Sequence, residues 1–288
     1  MRYGFIDEHR DEFNVLTMCR VLEVSPSGSD RFRDRPPSQR EKENERLLEK
    51  MRAIHEESRK NYGSPKVHRK LRQSGEQCKH KRVEKLMKEN GIRAKRARKF
   101  RATTNSNHSD PVAGKVLERR FTVSQADEVW CGDITYLWTD EGWLYLAVFI
   151  DLYSRMVVGW SMSERMTSQL VVDALEMGIS RRGRAVSPLI HSDRGSQYAS
   201  SSFREQLEIY LCRQSMSRKG NCWDNAVSES FFSALKLELV HHSRFRTRQE
   251  AVDQVFDYIE VFYNRKRIPS AAANLSPAEY EEQYRRAA

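Results

Sequence analysis

The chain has no run of 18 or more apolar residues, so no segment of it is built to cross a bilayer as a helix. Its first 20 residues include Arg2, Asp7, Glu8, Arg10, Asp11 and Glu12, which argues against a secretory leader and leads us to expect a cytoplasmic protein. The five cysteines (Cys19, Cys78, Cys131, Cys212 and Cys222) are odd in number, scattered, and nowhere spaced as C-x-x-C. Reduced thiols are therefore expected, rather than a disulfide framework or a zinc site. What is present is ordinary globular material. With 288 residues, 39% of them hydrophobic, the chain can bury a core in one large domain beside one or two small ones, and wholesale disorder is excluded.

The net charge of +10 becomes informative once it is localised. Residues 61–101 hold 15 Lys or Arg against 3 Glu, while the rest of the chain carries 35 basic and 37 acidic residues. The excess thus belongs to one short segment. A focused basic patch points to nucleic-acid phosphate, because each neutralised phosphate releases counterions. A solvated, solubilising face is the blander account.

In chain order, residues 1–60 read as a helical region, with one short helix over Phe13–Val24, turn chemistry from Ser25 to Ser38, and an amphipathic helix over Gln39–Lys60. Within 61–101, Ser64 is placed to cap a helix whose first turn takes Pro65, with Val67 and Leu71 buried. Gly75 breaks it. A second helix over Lys79–Asn90 buries Val83, Leu86 and Met87 and ends at Gly91. Two short helices across a glycine turn, the second bearing Lys79, Lys81 and Arg82, fit a helix-turn-helix. Residues 102–126 read as a polar linker. From Asp127 the texture changes to three strands (Val129–Trp138, Trp143–Asp151 and Arg155–Ser161) joined by short connections. A helix capped by Thr167 follows, then a strand over Pro188–Ile190, a helix over Ser201–Leu211, a short strand over Arg213–Met216, and helices over Asp224–Leu239 and Arg248–Arg265. This order predicts an α/β fold of the ribonuclease H-like type: a mixed five-stranded sheet with flanking helices over 127–240, a helical extension over 241–288, and a small all-α helix-turn-helix region in front.

Three acids stand in three kinds of local structure. Asp133 lies on the first strand, amid Val129, Cys131, Thr135 and Leu137 of one face. Asp193 follows a short buried strand, at the carboxyl end where open α/β sheets place their ligands. Glu229 lies on a helix, with 35 residues between it and Asp193, on a face shared with Asn225, Ser233 and Lys236. Taken singly, Asp133 fits a salt bridge, Asp193 a turn, Glu229 a solvated surface and Asp224 an N-cap. Taken jointly, they supply the oxygen ligands that hold two hard cations for in-line displacement at phosphorus. Such a site needs no cysteine, histidine or nucleophilic serine, and clusters of these are scarce here.

The strings Trp130-x-x-Asp133-Ile134-Thr135-Tyr136, Gly142-Trp143-Leu144-Tyr145-Leu146, Asp151-Leu152-Tyr153-Ser154-Arg155, His191-Ser192-Asp193-Arg194-Gly195-Ser196-Gln197-Tyr198 and Ser215-Met216-Ser217-Arg218-Lys219-Gly220-Asn221-Cys222-Trp223-Asp224-Asn225-Ala226 carry a resemblance. They resemble the integrase core of bacterial insertion-sequence transposases, in particular OrfB of the insertion-sequence-three family. Tyr62-Gly63-Ser64-Pro65 and Tyr263-Asn264-Arg265 extend the resemblance over nearly the whole chain. Ser29-Asp30-Arg31-Phe32, Pro269 and Ala272 depart from the family's usual residues. The resemblance implies Asp133, Asp193 and Glu229 as a DDE triad binding two Mg²⁺ ions, for which Mn²⁺ can substitute. It also implies Lys219 and Lys236 at the DNA, with Asp224 and Asn225 supporting the site. The implied activity is metal-dependent DNA cleavage at transposon 3′ ends followed by strand transfer. The implied partners are terminal inverted repeats, target DNA, further copies of the chain in a synapse, and OrfA, often as an OrfA–OrfB fusion. Two other readings stay open: a non-catalytic DNA-binding regulator or inactive decayed copy, and a nuclease without strand transfer.

Overall fold

The computed structural model describes residues 2–95, 123–183, 186–217, 226–269 and 275–287. The amino-terminal part is helical: α1 (Arg2–Glu8), α2 (Val15–Val21), α3 (Pro26–Arg33), α4 (Gln39–Glu57), α5 (Ser64–Gln73) and α6 (His80–Glu89). Two expectations are corrected here. The segment expected as one helix is the short α2, preceded by α1, and Asn14 caps it by accepting the Leu16 and Thr17 N–H groups. The stretch expected to be turns contains α3. Ser25 accepts the Gly28 N–H at 3.0 Å, and Pro26 occupies the first helical position, so the Ser-Pro pair starts a helix.

The helix α4 opens on a capping box, in which Ser38 Oγ accepts from the Glu41 N–H and the Glu41 carboxylate accepts from the Ser38 N–H. Its buried Leu47 and Met51 pack on Val67 and Leu71 of α5 and on Val83, Leu86 and Met87 of α6. Gly63, not Ser64, holds the N-cap position of α5, and Ser64 and Pro65 form its first turn. After α6, Gly91 takes φ +67°, while its N–H and that of Ile92 bond back to Lys88 and Met87. A residue with a Cβ would be strained in that closure. This unit docks on the chain's later part. The Tyr62 hydroxyl accepts from the Ile268 N–H at 2.9 Å, and Arg59 pairs with Asp257 at 2.7 Å.

The sheet has the order β3-β2-β1-β4-β5, built from β1 (Val129–Thr139), β2 (Gly142–Asp151), β3 (Val157–Ser163), β4 (Leu189–Ser192) and β5 (Arg213–Met216). β1 to β3 are antiparallel, whereas β4 runs parallel to both β1 and β5, so the sheet is mixed as expected. One face packs on α7 (Ser168–Arg182), α8 (Ser196–Ala199) and α9 (Ser201–Ile209), burying Trp130, Phe149, Leu175 and Phe203. Thr167 holds the N-cap position of α7 without a side-chain bond. Gly159 of β3 lies so close to α7 that a Cβ there would meet the Ala174 carbonyl oxygen at 2.1 Å.

The other face packs on α10 (Ala226–Glu238) and α11 (Arg248–Phe256), burying Leu137, Leu146, Phe231, Phe232, Leu235 and Val255. α11 continues as a π-helical stretch over Asp257–Tyr263, at whose end Asn264 gives the Tyr-Asn-Arg motif a structural reason. The Asn264 side-chain amide accepts from the Val157 N–H and donates to the Val157 carbonyl, both at 3.0 Å, as a neighbouring strand would. Finally α12 (Pro277–Ala287) is fastened by Glu281 to Arg182 of α7, which also pairs with Asp127 at 3.2 Å.

Candidate active site

The parallel ladder of β1 with β4 ends at the pair Gly132–Ser192. Asp133 is the next residue of β1 and Asp193 the first residue after β4, so the two acids stand side by side where the strands part. This is the switch point of the sheet, with β2 on one side of β1 and β4 on the other. Asp133 Oδ1 accepts the Ile134 N–H at 2.8 Å. Asp193 Oδ1 accepts the Gly195 N–H at 2.9 Å, which makes it a turn former as well as a strand-end acid. Arg194 donates from Nε to the Ser217 carbonyl at 2.7 Å, tying the Asp193 loop to the end of β5.

Burial, followed by the negative charge of Asp193, pushes the Asp133 carboxyl up to about 8; Glu229 adds to the rise, while the Ile134 N–H and Lys236 oppose it. Glu229, in the first turn of α10, is exposed, and burial raises its carboxyl. Lys236, two turns further on, is half-buried; burial lowers its ammonium and Asp133 partly offsets this. Under the acids lies Tyr198, fully buried, its phenol raised by burial and then by Asp133 and Asp193. Asp133, Asp193, Glu229 and Lys236 therefore share one electrostatic environment. Among the described residues, no three His, Cys, Asp or Glu side chains close into a metal-binding cluster. Glu229 stands at the rim rather than in a finished cage. The donor set nonetheless suits a hard divalent cation: every candidate ligand is a carboxylate, and partly buried Asp133 is disfavoured as an anion first by burial and then by its acidic neighbours.

The other expected residues lie apart from the acids. Lys79 and Lys81 are exposed at the start of α6, whereas Arg82 turns onto α4, donating to Asn44 at 2.9 Å and pairing with Glu43 at 3.4 Å. Lys219, Asp224 and Asn225 fall outside the described residues. One buried site escaped the sequence reading. Glu238, the last residue of α10, receives Arg267 through Nε and Nη2 at 2.8–2.9 Å and the Tyr258 hydroxyl at 3.0 Å. Lys95 Nζ caps its carbonyl at 2.9 Å. No spacing rule reaches across the 29-position separation of the two ion-pair partners.

Three comparisons with known proteins bear on this geometry. Family models described as "Integrase core domain" match residues 123–222 and 229–284, and one described as "HTH-like domain" matches 42–100. Transposase InsF for insertion sequence IS3A of Escherichia coli K12 is 44% identical over 283 residues, covering 98% of both chains. The IS600 uncharacterized 31 kDa protein of Shigella sonnei is 43% identical over 93% of this chain and 98% of its own. In shape, the chain is similar to the simian T-cell lymphotropic virus intasome in complex with a PP2A regulatory subunit, with TM-score 0.47 at 18% identity, covering 62% of this chain and 60% of that one. It is likewise similar to the HTLV-2 integrase catalytic core domain in complex with magnesium, with TM-score 0.41 at 17% identity, covering 55% and 97%. The fold is thus an integrase core behind a helix-turn-helix-like region. The chain belongs to the insertion-sequence-three family of transposases.

Proposed function

We propose that the chain cleaves DNA at the 3′ ends of its insertion sequence and joins them to target DNA, with Asp133, Asp193 and Glu229 as the catalytic carboxylates. The observation carrying this reading is the pairing of Asp133 and Asp193 where β1 and β4 part, with the charge of Glu229 felt at Asp133. The three carboxylates would hold two Mg²⁺ ions, with Mn²⁺ an acceptable substitute. Bound there, such ions supply charge stabilisation for the attacking and leaving oxygens of an in-line displacement. The chain's own part is to fix the oxygen ligands: Ile134 orients one aspartate and Gly195 the other. Buried Tyr198 lies close enough to feel the charge of both. No side-chain nucleophile is needed, so water attacks phosphorus, a free 3′-OH leaves, and no covalent protein–DNA intermediate forms. That 3′-OH then attacks a second phosphodiester and expels a new 3′ oxygen.

The DNA is held by Lys79, Lys81 and Arg82 of the helix-turn-helix and by Lys219 and Lys236 near the acids, with Asp224 and Asn225 supporting the loop between. The working division is 1–60, 61–101, a linker over 102–126, the catalytic core over 127–240, and 241–288. Terminal inverted repeats, target DNA and further copies of the chain are the partners, with OrfA or its fusion supplying additional end recognition. Oligonucleotides bearing the terminal repeats, incubated with Mg²⁺, test this. Cleaved and joined products are expected from the wild type and none from Asp133→Asn, Asp193→Asn or Glu229→Gln. Binding without any product would favour a regulator or decayed copy, and cleavage without joining a simple nuclease.

A further inference from the structure

Beyond Gly132, β1 loses its partner on the β4 side, and among the described residues that edge is next bridged only at Thr139, by Phe245. The acids sit at this open edge. On the sheet face opposite Asp133, the far end of the β1–β2 hairpin leaves Tyr136, Trp138 and Trp143 exposed by 38%, 56% and 45%. Nearer β4 the same face is covered by α7, but α7 begins only at Ser168 and leaves the hairpin end bare. Trp143 meets Tyr136 and Trp138 edge to face, with ring centroids 5.0 and 4.8 Å apart, so the three rings form one unit instead of stacking away their own faces. So much exposed aromatic surface is unusual on a soluble fold and marks a binding face.

One contact connects this patch to the acids. Lys236, whose charge acts on Asp133, reaches over the open edge and places Nζ 5.4 Å from the Tyr136 ring centroid. The acids along the far rim are each engaged: Asp140 pairs with Arg244 and Glu164 with Arg248, while Glu141 accepts the Arg248 backbone N–H. A backbone crossing the edge at Asp133 would thus find a cation at Lys236 and, round the corner, three aromatic rings with no unengaged carboxylate among those rim acids.

We infer that Tyr136, Trp138 and Trp143 form a stacking platform for unpaired bases at the DNA end held by the acids, so that the terminal pairs open as the end enters the site. This rests on the proposed reading of the acids as the DNA-cleaving site. Stacking suits the occupant because every base offers a π-face, whereas a paired duplex end offers the rings only its last pair.

The test uses the full chain without divalent ions, so that binding is read apart from cleavage. The probes are one DNA duplex with its terminal pairs mismatched and the same duplex fully paired, each carrying 2-aminopurine at the end. The wild type should bind the mismatched end more tightly and quench its fluorescence. Trp138→Ala and Trp143→Ala should weaken binding to the mismatched end by about tenfold and lose the quenching, with little change for the paired duplex. Trp138→Phe should keep both properties. Trp138 is the most exposed ring of the three, so its variants remain informative if Trp143→Ala fails to fold. Equal binding of both ends by the wild type, or alanine variants that keep the preference, would overturn the inference. So would alanine variants that change only the state of association of the chain, which would make the patch a contact between copies. Asp133→Asn is expected to retain the preference while losing cleavage. If Asp133→Asn still cleaves, the reading of the acids fails whatever the platform does.

Discussion

Replacing Asp133 by asparagine should abolish activity and yet stabilise the metal-free protein. The carboxyl stands at about 8 in the folded chain against an ordinary value of 3.8, with burial the first cause and Asp193 the second. The sign is opposite to that of a salt-bridged aspartate. Below about pH 4 the group is neutral in both folded and unfolded chains and costs nothing. As pH rises from there toward 8, the unfolded chain ionises while the folded one must keep a proton, so stability falls until the folded carboxyl also ionises. At pH 7, some three units above the unfolded value, the penalty is on the order of 4 kcal/mol. Asparagine removes it and can still accept the Ile134 N–H through its own side-chain oxygen. Thermal melts in chelator should therefore show Asp133→Asn above wild type at pH 7, by roughly 10 °C for a chain of this size. The gap should close near pH 4. Adding Mg²⁺ should raise the wild type but not the variant, and calorimetry in buffers of different ionisation enthalpy should show wild-type binding releasing about one proton near pH 7. An asparagine variant no more stable than wild type at pH 7, or a gap unchanged at pH 4, would refute the reasoning.

Arg267→Ala leaves Glu238 buried without its partner and should cost about 3–5 kcal/mol in urea unfolding, whereas Glu238→Leu with Arg267→Met should recover most of the loss. Costs below about 1 kcal/mol for the single change would mean that the pair is solvated. Neutralising exposed Lys79 and Lys81 should lower the slope of log affinity against log salt by nearly one for each phosphate that the helix no longer neutralises. Arg82→Ala, already committed to Asn44 and Glu43, should change that slope less and lower stability more.

The integrase core was largely legible because its signals are local and periodic. The β-branched and aromatic strands, the Asp-Glu-Gly turn at 140–142 and the buried stripe of α10 each follow from a few neighbouring residues. The placement of the acids was legible for the same reason: a strand acid and a strand-end acid meet once the two strands are parallel neighbours. The helix α3 was missed because a Ser-Pro pair among Gly, Ser and Arg signals a turn as readily as a helix start, and only packing chooses between them. Interactions between distant segments left no local trace. Glu238 sits in the sequence like any charged helix end, Asn264 like any polar residue near the end of an expected helix, and both are buried by partners far along the chain. The π-helical stretch after α11 shifts the helical period by a residue, so its buried Tyr258, Ile259, Phe262 and Tyr263 look like a continuation of an ordinary helix.

The central claim is that Asp133, Asp193 and Glu229 act as one metal-dependent centre on DNA. Its most direct test is strand cleavage and joining on terminal-repeat oligonucleotides by the full chain, across a Mg²⁺ titration, for the wild type and the three isosteric variants. The account predicts Mg²⁺-dependent products from the wild type and loss of both steps in Asp133→Asn, Asp193→Asn and Glu229→Gln, with DNA binding retained in all three. A variant that binds DNA and still cleaves it at the wild-type rate would contradict the account.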